Sequence, residues 1–302
     1  MGSTVLVTGS SGFLGRATVR ALEGRGHQVL PFDQHPPPGW KVRDVRMHPL
    51  DQCDAVIHLA GVLGTSELFD DPHRAVDVNV GGTAHVLTEC ERLGAAYVGI
   101  TMPQVWANVY SATKRCALDL AEAWRRHRGL RVAHVRAFNV YGPGQAVGDG
   151  TPGHPQKIVP TFASRSWAGL PMPVWGDGSQ TVDLVHVDDV AGLLVGAVEG
   201  LFTEAVGNNP FDGAILDAAS GTSHTVLEVA EMVGHVTGCY KVRHLPMRPG
   251  EHPVVFESAP LCRGFDADRF IAAVESYKPV ERRMGERIDD MIRVNEGAGE
   301  AA

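Results

Sequence analysis

Three glycines near the start, Gly9, Gly12 and Gly15 in Val-Thr-Gly-Ser-Ser-Gly-Phe-Leu-Gly, lie between a short apolar run, Thr4-Val5-Leu6-Val7, and a stretch over Phe13–Gly24 whose apolar residues recur at helical spacing. With 35 glycines in 302 residues, such spacing has about an even chance of turning up somewhere, so its weight comes from the strand before it and the helix after it. A strand that feeds a helix through bare backbone lets a pyrophosphate come close. The unpaired amides and positive dipole end of the helix then hold its charge. Gly9, Ser11, Gly12, Phe13, Leu14 and Gly15 are therefore the first candidates for a dinucleotide-binding turn.

A second pattern narrows the chemistry. Tyr110-Ser-Ala-Thr-Lys114 occurs once, at the start of a helical stretch over Val109–Arg128. A separation of four residues puts phenol and amine on one helix face, one turn apart. The Lys114 ammonium is expected to favour the Tyr110 phenolate, and the positive charge of an oxidised nicotinamide to add to that effect, drawing the phenol toward a useful working pKa.

A strand over 28–33 ends in Asp33, 24 positions beyond Gly9, where a carboxylate accepts hydrogen bonds from the adenosine 2′-hydroxyl and repels a 2′-phosphate. The Gln34-His35-Pro36 that follows supplies no arginine to reverse that preference, so the expected cofactor is NAD. Strands over 54–61, 95–101 and 131–138 alternate with helices over 70–92 and Val109–Arg128. That rhythm predicts an α/β fold, a Rossmann-type doubly wound parallel sheet with helices on both faces. Beyond Tyr141, clusters such as Gly142-Pro-Gly144 favour turns and mark a smaller α/β lobe. Residues 183–198 and 215–218 are expected to return to the main sheet, and helices over 225–238 and 280–294 to cover the lobe. The expected division is 1–165 for the dinucleotide, with 179–219 rejoining its sheet, and 166–178 with 220–302 for a substrate.

Twenty-seven basic against 35 acidic residues give a formal charge of −8, which argues against nucleic acid or an anionic membrane as partner and for a small molecule. Five scattered cysteines without a CxxC pair indicate neither a disulfide framework nor a metal site, and suit a reducing cytoplasm. There is no apolar run of the roughly 18 residues that a membrane span needs, and nothing suggests export.

Several further segments fall in a recognisable order: His58-Leu-Ala-Gly61, Asn79-Val-Gly-Gly-Thr83, the YSATK helix, Asn139-Val-Tyr-Gly-Pro-Gly144, Val174-Trp-Gly-Asp-Gly178, His186-Val-Asp-Asp189 and Arg248-Pro-Gly-Glu251. With the glycine turn, the series resembles the extended short-chain dehydrogenase/reductase family, in its nucleotide-sugar epimerase and dehydratase branch, over nearly the full length. The resemblance implies that Asp33 holds the adenosine ribose and that Asp44 lies near the adenine. It places Leu59, Ala60 and Gly61 along the cofactor pocket with Tyr110 and Lys114, and Asn139, Lys157, Val159, Trp175 and Arg248 on the substrate side. Arg248, whose guanidinium offers paired donors, would clamp the diphosphate of a nucleotide sugar, expected to be UDP-linked. A homodimer through the Tyr110 helix is also implied, with Leu118 and Trp124 as candidate contacts.

Departures from the family pattern shape the expected reaction. Family members place a serine or threonine where Thr101-Met102-Pro103-Gln104 has Met102, and a thioether cannot donate a hydrogen bond, so either Thr101 takes that role or the site dispenses with it. The Asp-Glu pair of the 4,6-dehydratases is replaced by Pro103 and Gln104, and an amide is a poor base. Only Ala107, Asn108 and Val109 separate Trp106 from Tyr110 where relatives carry a longer loop, and Thr181-Val182-Asp183 has valine in place of a phosphate-binding arginine. Gln104 and Cys116 complete a candidate catalytic set with Tyr110, Lys114, Thr101 and Met102. So edited, the resemblance implies an NAD-dependent nucleotide-sugar dehydratase acting through a transient 4-keto sugar, in particular a UDP-N-acetylhexosamine 5,6-dehydratase with internal hydride return, of the kind used in antibiotic biosynthesis. The alternatives are a nucleotide-sugar 4-epimerase and a catalytically dead NAD-binding regulator.

Overall fold

Val5 and Val7 belong to the core on one side of the first strand and Leu6 to the core on the other, and all three are fully buried, so this strand is covered on both faces. The computed structural model describes residues 2–103, 106–203, 209–251 and 258–279. It builds that strand, β1 (Thr4–Thr8), into a six-stranded sheet with β2 (Gln28–Phe32), β3 (Ala55–His58), β4 (Ala96–Thr101), β5 (Val132–Ala137) and β9 (Ile215–Ala218). The order is β2-β1-β3-β4-β5-β9, and every pairing is parallel. Strand order reverses at β1, between β2 and β3. A crevice at the carboxyl ends of those strands follows from that topology.

On one face, α1 (Phe13–Gly24) and α6 (Val187–Leu201) cover the sheet, with Leu194 and Val198 packed among Val7, Val98 and Val135. On the other, α3 (Gly82–Leu93) and α4 (Val109–Arg128) bury Val86, Leu87 and Ala121 against Leu6, Val56 and Tyr97. Helix α4 begins and ends where its sequence dictates. The Asn108 side chain caps it at the start, Gly129 ends it, and the last turn carries Arg125, Arg126, His127 and Arg128 against the negative end of the dipole.

A second core gathers Met172, Val174 and Leu184 with Phe162, Val229 and Phe270. Its strands are β6 (Asn139–Tyr141), β7 (Met172–Trp175), β8 (Thr181–His186), β10 (Ser223–Thr225) and β11 (Val242–Leu245), and its helices are α5 (Ile158–Trp167), α7 (Val226–Thr237) and α8 (Ala267–Glu275). The strands form a three-stranded sheet, β10-β8-β6, and a two-stranded one, β11-β7.

Two expectations need correction. Residues 70–92 are not one helix: α2 (Pro72–Ala75) starts on the Asp71 cap, a π-helical turn spans Val76–Gly81, and α3 follows. The widened turn carries Asn79, which is buried. Its Oδ1 accepts from Val62 N at 2.8 Å, and its Nδ2 donates to Val62 O at 3.0 Å and Thr113 Oγ1 at 3.1 Å. Residues 183–198 also divide. β8 leaves the main sheet to pair with β6 and β10, held there by Asp183, which accepts from the amides of Ser220 and Gly221, whereas α6 and β9 do return. The helix expected over 225–238 is α7, closed at its start by a Thr225–Glu228 capping box. The one expected over 280–294 lies outside the described residues.

Candidate cofactor and substrate cleft

A cleft of about 1010 Å³ opens at the carboxyl ends of the main strands and extends to Arg248. Its first wall is the glycine turn. Gly9 has φ +69°, and a Cβ there would lie 2.8 Å from Ala60 N. A Cβ on Gly15 would lie 2.0 Å from Gly9 O, so the turn closes only on glycine at both positions. Gly12 caps α1 without any side-chain hydrogen bond, and the first turn carries no acid. The leading amides of α1 are thus left for an anion, and Gly9, Ser11, Gly12, Phe13, Leu14 and Gly15 all line the cleft. These features fit a dinucleotide pyrophosphate.

Asp33 stands beside the turn. Its carboxylate accepts from Ser11 N at 2.8 Å and from His35 N at 2.7 Å, which fixes its orientation beside the turn. An arginine does come near, from a more distant stretch than Gln34-His35-Pro36: the Asp33–Val42 bridge sets Arg43 alongside. That guanidinium already pairs with Asp51 and lies 5.5 Å from the centroid of the Phe32 ring. Asp44 is buried, and hydrogen bonds from Arg46 hold its carboxyl below the ordinary range.

The floor of the cofactor side is a buried chain of side chains. The Thr8 hydroxyl accepts from the amides of Leu59 and Ala60 at 3.1 and 3.2 Å, which leaves its own proton for His58 Nδ1 at 2.7 Å. The other ring nitrogen of His58 then faces Thr83 Oγ1 at 3.2 Å as a donor. Burial pushes His58 down to about 3, which keeps the ring neutral. Leu59, Ala60 and Gly61 border the cleft above it.

Tyr110 and Lys114 line the same cleft from α4, and Tyr110 packs against Val62, Leu68 and Ala75. Burial works against the expected depression of the phenol. Burial pushes Tyr110 up to about 12 and Lys114 down to about 8, because each charged form is desolvated there. Thr101, buried at the end of β4, and Met102, half-buried, both border the cleft, whereas Gln104 lies outside the described residues. Cys116 is exposed and is not part of the cleft. Two residues beyond Lys114 is about 200° around the helix, which turns its thiol away.

Asn139, Lys157, Val159, Trp175 and Arg248 are all brought to the cleft. The Arg248 guanidinium lies 5.3 Å from the Trp175 ring centroid and is paired with Glu251 at 3.1 Å. Lys157 is held below the ordinary amine range by burial and then by Arg248. Arg74, Asn79 and Glu251 also line the cleft without having been singled out, although Asn79 and Glu251 each fall within a motif that was. Trp124 donates its indole N–H to Glu91 at 3.2 Å and packs on the main core. Among the described residues no helix is long and apolar enough to cross a membrane.

The glycine turn, Asp33 and the Tyr110–Lys114 pair thus border one crevice of a parallel α/β fold. The chain belongs to the NAD dependent epimerase/dehydratase family, which residues 5–207 match. It is similar to UDP-glucuronic acid decarboxylase 1 of Arabidopsis thaliana, 29% identical over 267 residues, covering 77% of this chain and 58% of the decarboxylase. The chain therefore spans less than two thirds of that relative's length. It is also similar to a dTDP-glucose 4,6-dehydratase of Streptomyces niveus, 28% identical over 296 residues and 82% of each chain. Among solved structures it matches TunA, described as an NAD-dependent NDP-hexosamine 5,6-dehydratase involved in tunicamycin biosynthesis, with a TM-score of 0.76, 24% identity and coverage of 91% of this chain and 98% of that one. A likeness at that identity speaks for the fold.

Proposed function

We propose that the chain is an NAD-dependent nucleotide-sugar enzyme that begins by oxidising a sugar at C4, and that its reaction is a dehydration. The observation that carries this is the presence of Tyr110 and Lys114 on the same crevice as the glycine cradle and Asp33. Bound NAD supplies a reversible hydride acceptor, which side chains cannot. Gly9 to Gly15 would hold its pyrophosphate, Asp33 its adenosine ribose and Asp44 the adenine edge. Tyr110 as phenolate takes the proton of the C4 hydroxyl while that carbon becomes a ketone. Burial opposes the phenolate, so the cation of Lys114 is needed to offset it. Arg248 and Lys157 would receive the diphosphate, and the lobe built on the second core, with Asn139, Val159 and Trp175, the rest of the nucleotide sugar.

A C4 ketone makes the C5 hydrogen acidic, and loss of the C6 hydroxyl as water can follow. Reduction at C4 after that loss leaves a 5,6-alkene, the outcome favoured by the edited Thr101-Met102-Pro103 segment, which lacks the usual hydroxyl register. A second reading, 4-epimerisation, is favoured by the carboxylates lining the cleft. Among the described residues these are Asp33, Asp44 and Glu251, all engaged elsewhere, so none stands ready as a C5 base. Incubation with UDP-N-acetylglucosamine and NAD in deuterated water separates the two. The dehydratase gives a product lighter by one water, whose C5 carries no hydrogen, and leaves deuterium at C5 of the recovered substrate, whereas the epimerase gives an isomer without C5 label. Unchanged, unlabelled sugar from protein carrying NAD would sink both and leave the binding regulator.

A further inference from the structure

We infer that Asn108 is a positioning residue that ties the first turn of α4 to the Arg248 loop, so that a diphosphate engaged at Arg248 is felt at Tyr110. This rests on the reading of Arg248 as the diphosphate clamp. Asn108 is 4% exposed and lies two residues before Tyr110. Its Oδ1 accepts from Ser111 N at 2.9 Å, and its backbone oxygen accepts from Ala112 N at 3.0 Å, which closes the first turn of the helix. The Nδ2 of the same amide donates to Gly250 O at 3.3 Å, across 142 residues of chain.

Capping alone does not call for asparagine, since serine or aspartate serves an N-cap as well. What a carboxamide adds is a donor held in the same rigid plane as the acceptor, facing the other way. The loop is built to receive it. Gly250 has φ +75°, and a Cβ there would lie 2.9 Å from Asn108 Cβ and 3.1 Å from the Phe69 ring, so the loop backbone rests directly on the cap. Glu251 N donates to Arg248 O at 3.2 Å, closing a tight turn whose Arg248 and Glu251 side chains pair with each other. A shift of Arg248 therefore moves Gly250, and Gly250 pulls on the group that sets where α4 begins.

Hydrogen exchange on the full chain tests this, read on residues 109–113 and 247–251 with NAD present, with and without UDP. In the native protein both segments are expected to slow together when UDP is added. In Asn108→Ser, which keeps the cap, UDP still slows the loop but no longer the helix turn. Without UDP, the loop of that variant is expected to exchange about fivefold faster, as loss of one hydrogen bond implies. Asn108→Asp caps equally well but sets a carboxylate against the Gly250 carbonyl, and is expected to raise loop exchange further. Equal slowing of the helix turn by UDP in native protein and Asn108→Ser, or loop rates that match without UDP, would overturn the inference. If UDP slows neither segment of the native protein, the diphosphate reading of Arg248 fails instead, and the UDP-free comparison still decides whether the tie exists.

Discussion

Replacing Gly15 by alanine should separate the cradle from the rest of the fold. The added Cβ would sit 2.0 Å from Gly9 O and 2.8 Å from Ser10 Cα, both backbone atoms that no rotamer change can move. A carbon–oxygen contact tolerates roughly 3.3 Å, so the turn must open by about 1.3 Å. Alanine is worth about 1 kcal/mol more than glycine inside a helix, whereas forced overpacking costs about 1–3 kcal/mol, so the net effect on stability is a loss of up to about 2 kcal/mol. For a chain of 302 residues, with about 2.1 cal/mol/K of unfolding entropy per residue, that is a fall in Tm of at most roughly 3 °C. The cofactor feels more than that. Displacing a positioned anion site by more than 1 Å should weaken NAD binding about a hundredfold, on the scale seen when reacting groups are misplaced by that distance. Titration calorimetry with NAD measures it, with two controls. A Cβ on Gly12 would meet Gly9 O at 3.1 Å, so Gly12→Ala should lose tenfold or less, and Gly24, at the end of the same helix, has nothing within 4 Å, so Gly24→Ala should bind NAD as the native protein does. Native affinity in Gly15→Ala would refute the assignment of this turn to the pyrophosphate.

Tyr110→Phe should abolish oxidation at C4 and leave NAD affinity within about twofold, seen by product mass spectrometry beside calorimetry; residual turnover within about tenfold of native would remove Tyr110 from the mechanism. A general base works deprotonated, so kcat/KM should rise with pH up to the working pKa of Tyr110. The Lys114 cation helps below its own value of about 8 and less above it. Lys114→Met should therefore move that limb to higher pH and cost more activity at neutral pH than at alkaline pH; a parallel loss at every pH would exclude the electrostatic role. Arg248→Ala removes charge-assisted hydrogen bonds of roughly 1.5–3 kcal/mol each and should weaken UDP binding tenfold or more with NAD binding intact, and equal loss of both ligands would point to a folding defect instead.

The parts of the site that lie within one helical turn or one strand-to-helix junction were legible in the chain itself. The glycine turn, the span of α4 from Asn108 to Gly129 and the shared face of Tyr110 and Lys114 follow from spacing and caps, which are properties of neighbouring residues. The position of Asp33 was legible for the same reason, since it directly follows the strand that pairs beside the turn. Cys116 was misplaced because proximity in sequence was read as proximity to substrate, whereas a helix turns about 100° per residue.

What could not be read locally depended on contacts between distant segments. Nothing near Asp33 announces that Val42 bridges to it and carries Arg43 alongside. The strand pattern of 181–186 is compatible with either sheet, and Asp183 settles it only by meeting Ser220 and Gly221. The direction in which Tyr110 and Lys114 shift is of the same kind. Spacing shows that phenol and amine share a face, but the cost of charging them is set by how much surrounding chain excludes water, and that quantity exists only after the main sheet, α2 and α4 have closed around them.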